Sequence, residues 1–311
     1  MKITVMGTGG IGGYYGGVLA KAGEQVTFVA RGAHLQALRA HGLKVESQIM
    51  GNFEVKNATF TDNPLDGGTP DLLLMATKAY DLESASASFK AALGPNSVIL
   101  PLLNGVDIAE RIAAVVGRSY VLGGMCQISC AIKEPGVIRQ GGPLNRIVFG
   151  EMDGGTSPRA QAVLGVLKKA GIVAELSEQV MVDIWNKFLF ITSHAGVCTL
   201  TASVLGPLRK DPDTRALFQG CMEEVYALAK KKGIPLKPTI VQDTMAALEK
   251  LPETSKPSML LSLETGGKLE VDALNGEVVR LGRQLGVPTP THQFIYAALK
   301  HRAEGKTANK G

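Results

Sequence analysis

Residues 1–31 are compatible with few architectures. Lys2-Ile3-Thr4-Val5-Met6 has the composition of a short buried strand, and Gly7-Thr8-Gly9-Gly10-Ile11-Gly12 follows without a spacer. Residues 13–22 suit a helix that Gly23 stops, and 24–30 return to strand composition. Strand, Gly-x-Gly-x-x-Gly, helix, strand is the frame of a dinucleotide-binding βαβ unit. Within it Gly7 allows the tight turn, Gly9 lets a pyrophosphate approach the backbone, and Gly12 lets helix and strand pack closely. The helix N-terminus adds unpaired N–H groups and partial positive charge. Thr8, Gly10 and Ile11 complete the expected cofactor loop. Without the flanking strands and helix, the same glycines would be only a flexible turn.

The end of the second strand bears on which dinucleotide is bound. An NAD site places Asp or Glu there, about 20 residues past the glycines, to hold the ribose hydroxyls. This chain has Ala30-Arg31-Gly32. A guanidinium accepts a 2′-phosphate through a planar fork of donors, where a carboxylate would repel it. The expectation is NADPH/NADP+, with Arg31 on the phosphate; the competing reading is an arginine that faces only solvent.

Strands and helices alternate through the first half. The segment 33–40 reads as a helix, 43–48 and 53–60 as strands of a small excursion, and 71–77 as a buried parallel strand. A helix opens at Lys78 and stops at Gly94-Pro95, and 97–102 is another buried strand ending in Leu103-Asn104-Gly105. Ligands in open α/β sheets bind beyond the carboxyl ends of strands. Lys78 and Asn104 stand at two such ends. Lys78 can supply charge to phosphate or substrate. Asn104 can donate and accept in one place, or Asn104-Gly105 is an ordinary turn. The segments 121–132, 137–140 and 146–150 are expected as a meander that finishes the same sheet, followed by a helix at 157–170 and a strand at 172–176. Past Ser177 only helical periods remain, at 177–200, 211–232, 239–251, 257–265, 275–285 and 290–302. The expected division is 1–177, a nucleotide-binding domain, and 178–311, a helical substrate domain.

Bulk properties narrow the function. A chain of 311 residues, 45% hydrophobic and 20% charged, supports two globular domains. The net charge of +5 is spread out, and Lys230-Lys231-Lys232, the one basic run, falls at an expected helix end. With 5% aromatic residues and no basic–aromatic stripe, nucleic acid is not an expected partner. No apolar run reaches the ~18 residues of a membrane span. The N-terminus opens directly on a strand, so no signal peptide is expected. Cys126, Cys130, Cys198 and Cys221 make no ligand spacing, so no metal is expected and the thiols fit a reduced, cytoplasmic protein. The tail 304–311 is expected to fray.

Two helical stretches look chemical. In Asp183-Ile184-Trp185-Asn186-Lys187-Phe188-Leu189-Phe190, a lysine sits amid apolar residues beside the only tryptophan. A partly buried ammonium becomes a usable general acid near neutral pH; the alternative is a lysine that snorkels to water. The second stretch offers Ser258-Met259, then Glu270-x-Asp272-x-x-Asn275-Gly276. Glu270 is either a functional carboxylate or simple helix-entry chemistry.

Taken in order, the glycine loop, Arg31, Lys78, Asn104-Gly105, Trp185-x-Lys187, Ser258-Met259 and Glu270-x-Asp272-x-x-Asn275-Gly276 resemble the ketopantoate reductases (2-dehydropantoate 2-reductases) over nearly the whole chain. The resemblance implies an α/β fold, with an N-terminal Rossmann-type domain, an all-helical C-terminal domain and the site in the cleft between. It implies NADPH-dependent reduction of ketopantoate to pantoate in pantothenate biosynthesis. Lys187 would give the proton, Asn104 would contact nicotinamide and substrate, and Ser258 would hold the substrate. Glu270 would orient both the cofactor side and the substrate hydroxyl. Lys78 and Arg31 would hold NADPH, and Ala131 would lend backbone contact.

The chain departs from the family pattern where asparagines usually stand four and eight residues past the lysine: it has Ile191 and Ala195, and Ser262 where an aspartate is frequent. The face then reads Lys187, Ile191, His194, Ala195. His194 is either a substitute substrate ligand or a tolerated core histidine. Other readings are a paralogous reductase of another 2-oxo acid or ketone, a non-catalytic NADP-binding redox sensor, and a β-hydroxyacid or 6-phosphogluconate-type dehydrogenase, whose motifs match less closely. Apolar faces in the helical half exceed what one layer buries, which suits a homodimer.

Overall fold

The computed structural model describes residues 1–305; the rest of the polar tail lies outside the described residues. The chain separates into two compact units, one of Met1–Leu103 with Asp107–Met181, the other of Asn104–Val106 with the chain from Val182 onward.

The first unit is built on a five-stranded parallel sheet. Its strands are β1 (Lys2–Met6), β2 (Gln25–Val29), β5 (Thr59–Thr61), β6 (Leu72–Met75) and β7 (Val98–Pro101), in spatial order β5-β2-β1-β6-β7. Ile3 pairs with Val26 on one side and Leu72 on the other. The central strands are buried, with β6 and β7 reading as near-continuous apolar runs, as parallel sheets covered on both faces do. The order reverses beside β1, and this switch point is where Rossmann-type sheets bind ligands.

A second sheet holds β3 (Leu43–Ser47), β4 (Phe53–Val55), β8 (Gly123–Glu134), β9 (Val137–Gly150) and β10 (Val173–Leu176). This corrects two expectations. The region 53–60 is not one strand: β4 pairs with β3, while β5 joins the first sheet beside β2. Of the segments 121–150 only Val121 pairs with the first sheet, by one bridge to Ile99 of β7. They form a long hairpin, β8 against β9, with β9 running unbroken through Gly141-Gly142-Pro143 and a register shift at Ile128/Ser129. Such shifts bend a strand and raise its twist.

Helix α1 (Gly10–Lys21) lies between the two sheets. A Cβ at Gly13 would come within 2.7 Å of Ile138 on β9, and one at Gly16 within 2.6 Å of Phe28 on β2. The small side of the helix therefore allows a three-layer packing. Tyr14 and Tyr15, on the same helix, are fully buried. Around this centre are α2 (Gly32–His41), α3 (Leu82–Phe89), α4 (Ile108–Val116) and α5 (Pro158–Lys169), the last capped by the Ser157 hydroxyl accepting from the Ala160 N–H.

The second unit is helical: α6 (Val180–Leu200, which starts two residues before the division), α7 (Leu205–Lys210), α8 (Pro212–Lys231), α9 (Ile240–Glu249), α10 (Ser258–Thr265), α11 (Glu277–Leu285) and α12 (Pro290–Leu299). The short α7 was not expected from the sequence. Its Pro207 sits in the first turn, where a proline costs no hydrogen bond. Helix α8 packs against α9, α11 and α12 through Phe218, Cys221, Met222 and Val225, all buried. Its start shows why: Asp211 accepts from the Thr214 N–H at 2.8 Å, and Pro212 fits the first position. All four cysteines are free thiols. Among the described residues no helix is long and apolar enough to cross a membrane, and no His/Cys/Asp/Glu group could hold a metal ion.

Candidate active site

The glycine loop follows the carboxyl end of β1. Gly7 has φ +97°, and a Cβ there would sit 2.8 Å from the Ala76 carbonyl oxygen, so only glycine fits. Thr8 is buried and doubly tied to the end of β2: its N–H donates to the Val29 carbonyl at 3.0 Å and its hydroxyl at 2.9 Å. The loop is thus held rigid by its threonine. Gly9 caps α1, and a Cβ there would meet nothing within 4 Å, so its side of the turn is open. Gly10 is the reverse case: a Cβ would lie 2.5 Å from the Cys130 carbonyl oxygen and 2.9 Å from the Ala131 nitrogen. That close approach sets Ala131, exposed on β8, against the start of α1. Ile11 is half-buried and packs on the core, while Gly12 is buried against the Gly7 carbonyl and Val5.

These residues suit a dinucleotide. The first turn of α1 contains no acidic residue, and its amides have no intrahelical acceptor. An anion at the open side of Gly9 would meet N–H groups and the positive end of the helix. Arg31 is exposed at the N-cap of α2, directly after β2, with no ion pair among the described residues. Lys78 is exposed just past β6, across the switch point from the glycine loop.

The second unit carries the candidate chemistry. Lys187 lies mid-way along α6, half-buried, and its Nζ donates to Asn104 Oδ1 at 2.7 Å. Asn104 belongs to a three-residue piece of the loop after β7 that packs with the helical unit, and the turn is completed by Gly105 at φ +139°. On either side of Lys187, Trp185 and Phe188 are buried and meet edge to face at 6.1 Å. Asn186, Lys187, Phe190 and Ile191 are only partly buried, whereas 192–199 are wholly buried. The accessible part of α6 is therefore one stripe around Lys187, and Ala195 is outside it.

His194 is 6% exposed and stacks on Phe190 at 5.3 Å, and no group among the described residues bonds its Nε2. Burial pushes its pKa down to about 4, so the ring is neutral at physiological pH. Ser258 opens α10 with its side chain exposed. Glu270 is half-buried and starts a π-helical turn, Asp272–Gly276, that leads into α11. The structure brings Lys187 to Asn104, and Ala131 to the glycine loop; it places Arg31 and Lys78 at the ends of β2 and β6, the strands on either side of β1, and sets His194 behind Phe190.

Sequence reasoning missed the part played by Asn275. Its Nδ2 donates to the Thr192 carbonyl of α6 at 3.2 Å. The dipeptide Asn275-Gly276 looks locally like a turn, and the only available signal was an amide placed among apolar residues.

A parallel sheet with a switch-point glycine loop, followed by a helical unit bearing a lysine–amide pair, defines a class: Rossmann-type oxidoreductases with a helical second domain. Within that class the chain belongs to the ketopantoate reductase family. Residues 3–154 match the model of ketopantoate reductase PanE/ApbA, and 179–303 match that of its C-terminal domain. The chain is 32% identical to the uncharacterized oxidoreductase YkpB of Bacillus subtilis, over 96% of this chain and 98% of that protein. It is 31% identical to a 2-dehydropantoate 2-reductase of Mesorhizobium japonicum, over 97% and 98%. The crystal structure of a PanE/ApbA family ketopantoate reductase from Ralstonia eutropha superimposes with a TM-score of 0.89 at 28% identity, covering 97% of this chain and 98% of that one.

Proposed function

We propose that the protein reduces a 2-oxo acid with NADPH, on the pattern of 2-dehydropantoate (ketopantoate) to pantoate, with Lys187 as proton donor. The observation that carries this is the 2.7 Å bond from Lys187 Nζ to Asn104 Oδ1. Asn104 uses its acceptor on the ammonium, so its NH2 is directed elsewhere, toward a carboxylate or carboxamide. Bound at the glycine loop, Arg31 and Lys78, the nicotinamide dinucleotide supplies a hydride. As the carbonyl carbon gains that hydride, the C=O electron pair moves to oxygen. Lys187 stabilises the growing charge and gives its proton, leaving a 2-hydroxy acid. The ammonium regains its proton from solvent. Glu270 and Ser258 are assigned to substrate orientation, and Ala131 to backbone contact with the cofactor.

One observation favours a second substrate reading. Beside Lys187 on α6, Phe190 and Ile191 are part-exposed, so hydrocarbon lies next to the lysine. Such a wall favours a 2-oxo acid with an apolar tail over a hydroxylated one.

The test is NADPH oxidation by the purified protein with ketopantoate and a panel of apolar 2-oxo acids. Turnover that falls by about 10²–10⁴-fold in Lys187→Ala, with NADPH affinity retained, is the expected result. Turnover unchanged in Lys187→Ala would remove the proton-donor assignment. Tight NADPH binding without turnover of any 2-oxo acid would make the protein a non-catalytic NADP binder.

A further inference from the structure

We infer that Asn275 is a positioning residue that ties the turn carrying Glu270 to the helix carrying Lys187. This rests on the reduction proposed above. Asn275 is fully buried, and its Nδ2 reaches the Thr192 carbonyl in the middle of α6. Helix α6 is notched to receive it: a Cβ at Gly196 would stand 2.5 Å from Asn275 Nδ2. No donor among the described residues meets Asn275 Oδ1. A buried oxygen without a donor costs about 1–3 kcal/mol, which an apolar side chain of similar size would avoid. The amide is therefore kept for its directed bond and not for filling space.

The turn that presents Asn275 begins at Glu270. The Glu270 carbonyl accepts from the Leu274 N–H at 3.1 Å, and the Val271 carbonyl accepts from the Gly276 N–H at 2.8 Å. The second bond is the wide i→i+5 closure of a π-turn, a feature that recurs at functional sites. The far side of the turn is fixed by α12. The Tyr296 hydroxyl donates to Asp272 at 2.7 Å, and the Tyr296 ring lies 2.9 Å from where a Gly276 Cβ would be. Glu270 is thus rigidly joined to Asn275, and Lys187 is rigidly joined to Thr192 by one helix. The Asn275–Thr192 hydrogen bond ties these two segments together. A displacement of about 1 Å at a catalytic group can cost 10²-fold in rate.

The test compares Asn275→Ala with the double variant Gly196→Ala/Asn275→Ala, whose added methyl refills the notch without restoring the bond to Thr192. Asn275→Ala is expected to lower kcat by about 10–100-fold, with KM for the 2-oxo acid and Kd for NADPH changed by less than about threefold. The isotope effect on kcat with 4-deuterated NADPH is expected to rise. The double variant is expected to regain Tm but not kcat. Recovery of kcat together with Tm, or an unchanged kcat and isotope effect in Asn275→Ala, would overturn the inference and leave Asn275 a packing residue. If the wild-type protein reduces no 2-oxo acid, the functional reading fails on its own and hydrogen exchange decides the tether. Amides at 188–196 and 270–276 should then lose protection together in the double variant at wild-type Tm, and unchanged exchange would overturn the inference.

Discussion

Arg31 shows what one side chain can determine. It stands exposed at the end of β2, where a carboxylate would hold ribose hydroxyls and exclude a 2′-phosphate. A bidentate charge-assisted contact is lost whole when the guanidinium is removed. Arg31→Ala is expected to raise KM for NADPH by about 10–100-fold and to leave KM for NADH almost unchanged; equal changes for both cofactors would take the 2′-phosphate away from Arg31. The residues of the candidate site were legible as types: a lysine among apolar neighbours, an asparagine at a strand end, an arginine where an acid is usual. Their company was not. Asn104 and Lys187 are 83 residues apart in sequence, and so are Thr192 and Asn275. No local pattern records a bond of that span. His194 is the same lesson reversed, since its helical spacing puts it on the lysine's face while Phe190 covers it.

At the scale of elements, α1 is legible as a helix and illegible as a layer. Its glycines predict close approach, but not that the approach is to two sheets at once. The reason is that the two hairpins β3–β4 and β8–β9 join each other and β10 only through distant parallel pairings, such as Lys44 with Val137 and Val173 with Arg146. Two glycines of the same region should respond oppositely to a methyl. Gly16→Ala would force a Cβ to 2.6 Å from both Phe28 and Val5, and is expected to cost about 1–3 kcal/mol in chemical denaturation. Gly9→Ala adds a methyl in open space at φ −82°, and is expected to change stability by less than about 1 kcal/mol. It should nevertheless raise Kd for NADPH, because the methyl occupies the approach to the helix N-terminus. A Gly9→Ala protein that binds NADPH normally would show that the phosphates lie elsewhere. Helix α12 carries a cap as remote as these pairings: Glu224 on α8 accepts from the N–H groups of Thr291 at 2.7 Å and His292 at 3.0 Å. Glu224→Ala should loosen α12 and lower Tm by several degrees without touching the glycine loop.

For the whole molecule, the buried histidines make stability fall on acidification. Burial pushes His194 down to about 4. Burial also lowers His292, against the opposing pull of Glu224, whose Oε2 lies 2.7 Å from His292 Nδ1. Burial alone would raise Glu224, but the ring and the two backbone N–H groups outweigh it and hold the carboxyl below its usual range. The folded protein thus keeps both imidazoles neutral. Unfolded, each takes a proton as the pH drops through its ordinary value near 6.5. Between there and the folded value the unfolded chain binds more protons, so stability rises with pH across this window and is lost on acidification. Glu224 adds to the loss only lower, once the unfolded carboxyl begins to protonate near 4.5. For His194 alone, the shift corresponds to about 2 kcal/mol of stability present at pH 7 and missing at pH 5. Urea unfolding at the two pH values is expected to show the wild-type protein weaker at pH 5. His194→Gln should show a difference smaller by about that amount, because glutamine takes up no proton in this range. If the variant loses as much stability as the wild type between pH 7 and 5, the His194 ring is open to protonation in the folded state. It would then be a group that the site can use, and not one sealed behind Phe190.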